Sequence, residues 1–278
     1  MCNDCGCGIT DLGQRFVTID SSSGQGTTAV GVMRRLLHAN DHQATHNRAH
    51  FDQRDILAVN LMSSPGSGKT ALLEATIDAF GNELAVAVIE GDLETENDAL
   101  RIRRKGVPVH QITTGTACHL DAHMVHGALH HLDLDGIDVL FIENVGNLVC
   151  PASFDLGHHL NVTLLSVTEG DDKPAKYPVM FRAADAMVLT KTDLLPFLDD
   201  FDPDRATQHL RALANPAPVI SLSARTGSGM ESWLDWLRAA VEAQRARVRR
   251  NQTSYPKLQR EGLRRHESDT GAMHEPDS

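Results

Sequence analysis

At 278 residues, with 23% charged residues and a formal net charge of −11, the chain is long enough for one α/β domain with appended tails. The acidic balance argues against a nucleic-acid or anionic-membrane partner. No apolar run approaches the ~18 residues of a membrane span and no charged-then-apolar leader opens the chain, so a cytoplasmic location is expected.

Cysteines stand at 2, 5, 7, 118 and 150, an odd number that points to ligand or redox roles rather than a disulfide framework. The opening MCNDCGCG places Cys2, Cys5 and Cys7 where three thiolates can converge on one soft or borderline ion; the competing reading is a reactive cysteine-rich tail. A short strand is expected around Arg15 to Ile19, followed by a linker, SSSGQGTT. Val30 to His50 reads as a helix carrying His38, His42, His46 and His50. A four-residue step drifts by about 40°, so only adjacent pairs can share an ion; weak metal binding and a solvated face fit this pattern equally.

A nucleotide domain is expected from Asp55. Leu57 to Leu73, LAVNLMSSPGSGKTALL, reads as strand, phosphate loop and helix. Backbone amides of the loop, with Gly66, Ser67, Gly68, Lys69, Thr70 and Ala71, are expected to wrap phosphate, Lys69 to reach the β/γ oxygens and the Thr70 hydroxyl to ligate Mg²⁺. Ser63 stands where the generic pattern has its first glycine. The helix runs to Phe80, and a strand from Leu84 to Ile89 ends at Glu90-Gly91-Asp92, where Asp92 is the first choice to hold Mg²⁺.

After a helix from Glu96 to Lys105 and a strand from Val109 to Thr113, a helix is expected to begin at Cys118-His119, its N-terminal dipole favouring the thiolate. His119, His123, His126 and His130 would then form one stripe, away from an apolar face of Leu120, Met124 and Ala128. Ile137 to Ile142 is a buried strand ending in Glu143-Asn144-Val145-Gly146-Asn147, which resembles a γ-phosphate sensor; Glu143 would orient water or magnesium, and Cys150 lies seven residues on. Val162 to Val167 is a strand leading to TEGDDKPAKYP, where Asp171 and Lys173 either meet nucleotide or a second subunit or lie on a plain surface loop. Ala186 to Leu189 leads to Thr190-Lys191-Thr192-Asp193. A carboxylate at Asp193 accepts from guanine N1–H and the 2-amino group, which adenine does not offer, while the Lys191 stem covers the base. Val219 to Leu222 ends in Ser223-Ala224-Arg225, resembling a segment that contacts the guanine carbonyl. Met230 to about Arg247 closes the domain as an amphipathic helix, and an unstructured tail is expected beyond it.

With MCxxCGC, SSPGSGKT, Cys118-His119, Glu143-Asn144-Val145-Gly146-Asn147 with Cys150, and TKTD in this order, the chain resembles the HypB family, GTPase accessory proteins for nickel insertion into [NiFe]-hydrogenase. The resemblance covers about residues 1–8 and 50–240, and it makes Ser63 the expected residue. It implies an α/β P-loop NTPase fold with a mostly parallel sheet flanked by helices, of the dimerising metallochaperone GTPase type. The parts are a nickel motif at 1–8, a linker and histidine-bearing helix at 9–54, a GTPase domain at 55–245 and a tail at 246–278. It further implies nickel at Cys2, Cys5 and Cys7, and nickel or zinc at Cys118, His119 and Cys150 near a nucleotide-dependent homodimer interface. Slow GTP hydrolysis, with a HypA-like nickel protein and the hydrogenase large-subunit precursor as partners, would follow. A urease-type nickel GTPase and a nickel-storage protein with secondary GTPase activity are the alternatives.

Overall fold

The structure is a computed structural model that describes residues 29–92, 97–115 and 117–258, the opening turns of the first helix through residue 36 by backbone alone. Cys2, Cys5, Cys7, the strand expected at Arg15 to Ile19 and the linker after it lie outside the described residues. Contacts divide the chain at Arg35–Leu36, and the described residues from Leu36 onward belong to one unit. The first helix, α1, spans Ala29–Asp52.

Seven strands form a single sheet: β1 (Leu57–Met62), β2 (Val86–Asp92), β3 (Val109–Thr113), β4 (Val139–Glu143), β5 (Leu160–Ser166), β6 (Ala186–Thr190) and β7 (Val219–Ser221). Their order is β3-β2-β4-β1-β5-β6-β7, and every pairing is parallel. Buried on both faces, such strands read as near-continuous apolar runs, as LAVNLM and VLFIE do. The helices between them are α2 (Lys69–Phe80), α3 (Asn97–Arg103), α4 (Ala122–Leu129), α5 (Lys173–Lys176), α6 (Pro178–Ala183) and α7 (Pro203–Ala212), with α8 (Met230–Val248) closing the order.

The two-residue period of the strands sorts the core. Leu57, Val59, Leu61, Val86, Val88, Val139 and Phe141 face α2 and α8, where Leu72, Leu73, Trp233 and Leu237 cover them. Ala58, Ala87, Ile89, Leu140 and Ile142 face the other way, onto Phe51 of α1 and Val125, Ala128 and Leu129 of α4. The buried Trp233 indole donates to Thr76 Oγ1 at 2.9 Å, which fixes α8 against the helix that follows the phosphate loop.

Several buried polar side chains of the sheet pair with one another. Asn60 of β1 donates to Asn161 Oδ1 at 3.0 Å and accepts from Asn144 Nδ2 at 3.1 Å, a buried amide ladder running from β5 to the loop after β4. His159 is fully buried, accepts from the Ala58 amide at 2.9 Å and sits 3.1 Å from Asp52; burial lowers its pKa.

The structure corrects the sequence at several boundaries. The chain to residue 258 is packed rather than a free tail from 246: α8 continues to Val248, Pro256 is buried, the Lys257 ammonium pairs with Asp185 at 3.3 Å, and Arg48 stacks over Tyr255. β2 runs on through Asp92, so Glu90 lies inside the strand. Cys118 and His119 do not begin a helix. The helix starts at Ala122 behind Asp121, whose carboxylate accepts from the Met124 amide at 2.8 Å. Its buried face is Ala122, Val125, Ala128 and Leu129, with Met124 only half-buried.

Candidate functional site

At the C-terminal end of β1 the chain turns through Ser63–Gly68 into α2. Gly66 and Gly68 hold φ of 74° and 93°, a region that costs side-chain-bearing residues. The buried Lys69 ammonium folds back onto Ser63 Oγ at 3.1 Å, and the Ser63 hydroxyl donates to Ser64 O at 2.7 Å. A serine at the first loop position thus caps the lysine across the space that a phosphate fills. Ser67 Oγ donates to Glu169 Oε1 at 2.6 Å and Thr190 Oγ1 to Ser67 O at 2.6 Å, so the turn after β5 and the end of β6 brace the loop.

Beside the loop lies a cavity of about 320 Å³ whose lining includes Gly68, Ala71, Lys191, Asp193, Ser223 and Ala224. Its walls are the ends of β6 and β7. Lys191 takes a left-handed φ of 60° and its ammonium donates to Gly66 O at 2.6 Å, which lays its stem along one side of the cavity. Asp193 accepts from Ser223 Oγ at 2.6 Å and lies 3.7 Å from the Arg225 guanidinium. A carboxylate on the wall of such a cavity can accept from a purine edge bearing two adjacent N–H donors.

The phosphate end carries a paired acid that the sequence reading passed over. Val86, Val88, Glu90 and Asp92 share the face of β2 toward α2, and Glu90 stands directly across from Glu143 of β4. Both are buried. Glu143 Oε1 accepts from Thr70 Oγ1 at 3.0 Å, while Oε2 of Glu143 and Oε2 of Glu90 are buried with no hydrogen-bond partner. Burial, and then the Glu143 charge, push Glu90 up to about 8; burial pushes Glu143 up to about 7 against the pull of Lys69. Two orphaned carboxylate oxygens beside a threonine hydroxyl form an all-oxygen donor set that fits a hard divalent cation such as Mg²⁺. Asp92 is half-buried two residues farther along and contributes to the charge felt by Glu90. The strand's alternation was the signal for Glu90; apolar residues at 86 and 88 put 90 on the phosphate side.

Asn144 to Cys150 carries the site onward. Gly146 lies against the phosphate loop, and a Cβ there would stand 3.0 Å from Pro65 Cα and N, so any side chain obliges the two loops to give way by a few tenths of an ångström. Gly146→Ala is expected to displace Pro65 and weaken nucleotide binding by about tenfold, with melting temperature falling only a few degrees; titration and scanning calorimetry check this. Farther on, Asn144 Oδ1 accepts from the Leu120 amide at 3.2 Å, and Asn147 Nδ2 donates to Cys118 O at 3.1 Å.

These bonds bring the second motif together. Cys118 Sγ lies 3.3 Å from Cys150 Sγ and 3.7 Å from His119 Nδ1, and the three donor atoms all fall within 4.8 Å of one another. The thiols are too far apart for a disulfide of ~2.05 Å, and near the ~3.7 Å edge of a tetrahedron around an ion with ~2.3 Å bonds to sulfur. The His119 ring stacks on Phe154 with centroids 4.0 Å apart, and burial lowers its pKa, keeping a neutral nitrogen available to a metal. Burial, with the Cys118 thiol alongside, raises Cys150. Since Cys118 precedes the helix, a helix-dipole effect on its thiol has no basis here.

Asp171 is taken up structurally, accepting from Arg205 at 2.6 Å and from the Asp202 amide at 2.9 Å. Lys173 lies over the Tyr177 ring.

The parallel sheet, the phosphate loop and the base slot define a P-loop nucleotide-binding protein, here with a thiol and imidazole cluster formed between the segment before α4 and the loop that follows β4. A sequence model of the CobW/HypB/UreG nucleotide-binding domain matches residues 57–221. Over 223 residues the chain is 54% identical to hydrogenase maturation factor HypB of Azotobacter vinelandii, covering 77% of this chain and 73% of that one. It is 40% identical over 228 residues to the hydrogenase/urease maturation factor HypB of Helicobacter pylori, covering 81% and 93%. The crystal structure of the Helicobacter pylori protein in complex with nickel superposes with a TM-score of 0.69 over 78% of this chain and 98% of that one. The chain belongs to the HypB family of hydrogenase maturation factors. Among the described residues no helix is long and apolar enough to cross a membrane.

Proposed function

We propose that this protein is a cytoplasmic GTP-hydrolysing nickel metallochaperone, which binds Ni²⁺ and delivers it to the large-subunit precursor of a [NiFe]-hydrogenase with a HypA-like protein as partner. Nucleotide state controls homodimerisation and metal transfer. The observation that carries the reading is a continuous connection between phosphate and thiols. Thr70 touches Glu143, Asn144 and Asn147 of the same loop hold Leu120 and Cys118, and that loop ends at Cys150.

In this reading Asp193, Lys191, Ser223 and Ala224 hold guanine, and Gly66, Ser67, Gly68 and Ala71 surround the phosphates and the adjoining sugar. Lys69 moves from Ser63 to the β/γ oxygens and stabilises charge as the bond between the γ-phosphorus and its bridging oxygen breaks and water attacks, yielding GDP and phosphate. Thr70, Glu143, Glu90 and Asp92 would hold Mg²⁺, directly or through water; bound there, the ion supplies neutralisation of phosphate charge. Nickel is the cargo. Cys2, Cys5 and Cys7 form one cargo site, and Cys118, His119 and Cys150 form the other, which also suits Zn²⁺.

The test is a titration of reduced, metal-free protein with Ni²⁺ in the presence of GDP and then of a non-hydrolysable GTP analogue, repeated on the Cys118→Ala, Cys150→Ala variant. Nickel affinity at the weaker site is expected to differ about tenfold between the two nucleotides, and that difference to vanish in the variant; by linkage, nickel changes nucleotide affinity by the same factor. Nickel binding that ignores nucleotide would sink the coupling and favour a storage role. The Helicobacter pylori relative is named as a hydrogenase and urease maturation factor, which supports keeping a urease precursor as second recipient. Transfer of nickel-63 to each apo-precursor separates the two.

A further inference from the structure

The nucleotide and thiol sites leave unused the histidines of α1 and α4, which lie around a contact between those helices made by Asn47 and His126. Asn47, fully buried on α1, is the hinge of the contact. Its Nδ2 donates to Ala122 O at 2.8 Å and to Leu156 O at 3.0 Å, so Oδ1 is the amide's acceptor atom, and it lies 3.1 Å from His126 Nδ1. An acceptor facing Nδ1 requires the proton there. The lone pair of the neutral ring is then on Nε2. Metal-binding histidines show this same arrangement, one nitrogen fixed by a hydrogen bond to a carbonyl or carboxylate and the other left to ligate.

His130 follows one turn after His126, its ring centroid 4.9 Å away. From α1, His46 and His50 flank Asn47 one turn apart and lie near enough to be felt electrostatically, His50 by His126 and His130, and His126 by His46. Two i,i+4 imidazole pairs on packed helices are a chelating geometry, because each pair presents its rings on one helix face. His46 and His130 are exposed and His50 is half-buried, and the His46 ring lies 4.9 Å from that of His42, so reaching a common ion beside the anchored His126 requires the His46 side chain to turn away from His42.

We propose that His126, His130, His50 and His46 form a further metal site for an imidazole-preferring divalent cation of the nickel, zinc and copper class, separate from the cysteine centres. His126 is its fixed ligand and Asn47 its positioning residue. The site stands independently of the nickel-delivery reading, since nitrogen donors alone make it.

The test uses nickel chloride alone on the full chain with Cys2, Cys5, Cys7, Cys118 and Cys150 all replaced by Ser, its fold checked by guanine-nucleotide binding. This thiol-free protein is expected to retain one Ni²⁺ per chain by equilibrium dialysis, with imidazole scattering in its X-ray absorption spectrum. His50→Ala with His130→Ala, neither of which touches Asn47, is expected to weaken that ion by at least about tenfold, while a His38→Ala, His131→Ala control leaves it unchanged. In the protein with all its cysteines, the same double variant is expected to lose one Ni²⁺ per chain while the sulfur-to-nickel absorption is untouched. That second measurement decides the matter should the thiol-free chain fail to fold, and it separates this site from the delivery reading, which concerns the sulfur-bound ions. Absence of nickel from the folded thiol-free protein, retention of the ion in the His50, His130 variant, or equal loss in the control would overturn the proposal.

Discussion

Asp193→Asn is expected to weaken GTP binding by about 100-fold and to make xanthosine triphosphate the better ligand. The carboxylate lines the slot beside the phosphate loop, half-buried, with Oδ1 held by Ser223 Oγ at 2.6 Å. Guanine offers it two N–H donors on one edge, and a charge-assisted hydrogen bond contributes about 1.5–3 kcal/mol, so losing the better part of two costs about 3 kcal/mol, roughly a factor of 100. An asparagine turns one acceptor into a donor that meets the guanine 2-amino group head-on. Xanthine replaces that amino group with a carbonyl and accepts from the new N–H, which restores both bonds. Arg225, 3.7 Å from Asp193, is well exposed, so its ion pair gives way to the base at little cost. Calorimetric titration with both nucleotides checks the exchange, and an unchanged melting temperature shows the variant is folded. Equal loss of affinity for GTP and for the xanthine nucleotide would mean that Asp193 only props up Ser223.

What was readable in the sequence follows how local each constraint is. The phosphate loop, Lys191-Thr192-Asp193 and the Ser223 segment are short motifs at strand ends, and the structure brings them to one cavity and its rim because parallel strands put all their C-terminal ends on one side. Cys118, His119 and Cys150 also meet, although 32 residues separate the thiols. The errors arose where the deciding interaction is tertiary or the local signal is subtle. Asp121 caps α4 and was readable as a capping residue, but the nearby histidine spacing suggested a longer helix. Residues 249–258 have no periodicity, and only contacts such as Arg48 over Tyr255 and Lys257 with Asp185 hold them. The meeting of α1 with α4 depends on Asn47 reaching Ala122 and Leu156, 75 and 109 residues away, which no spacing rule contains.

Glu90 is the residue whose omission matters most, and its replacement by Gln is expected to stabilise the metal-free protein at alkaline pH. In the folded chain Glu90 titrates at about 8 and Glu143 at about 7, both raised by burial from an ordinary 4.5. Below about pH 4.5 both are protonated whether the chain is folded or not, and they cost nothing. As pH rises from there the unfolded carboxylates release protons that the folded pair retains. The unfolded state then binds fewer protons, so stability falls with pH until the folded groups have themselves ionised near pH 8, where the loss levels off. Each pH unit of displacement corresponds to about 1.4 kcal/mol, which makes the combined cost several kcal/mol. Glu90→Gln removes one acid and relieves Glu143 of a buried neighbour. It is expected to raise the melting temperature by several degrees at about pH 8.5 and to change it little at about pH 4, where the unfolded carboxylate is itself mostly protonated. Parallel melting profiles for the two proteins across that range would show that the pair is not strained. Mg²⁺ with GTP should reverse the order, because a cation gives the orphaned oxygens of Glu90 and Glu143 the partner they lack. The wild-type chain then gains more from magnesium as pH rises, and the Glu90→Gln variant needs more magnesium for the same turnover. On this expectation a pair of acids that destabilises the metal-free protein would favour its complex with magnesium and nucleotide, and Glu143 is also the residue at which the loop to Cys150 begins.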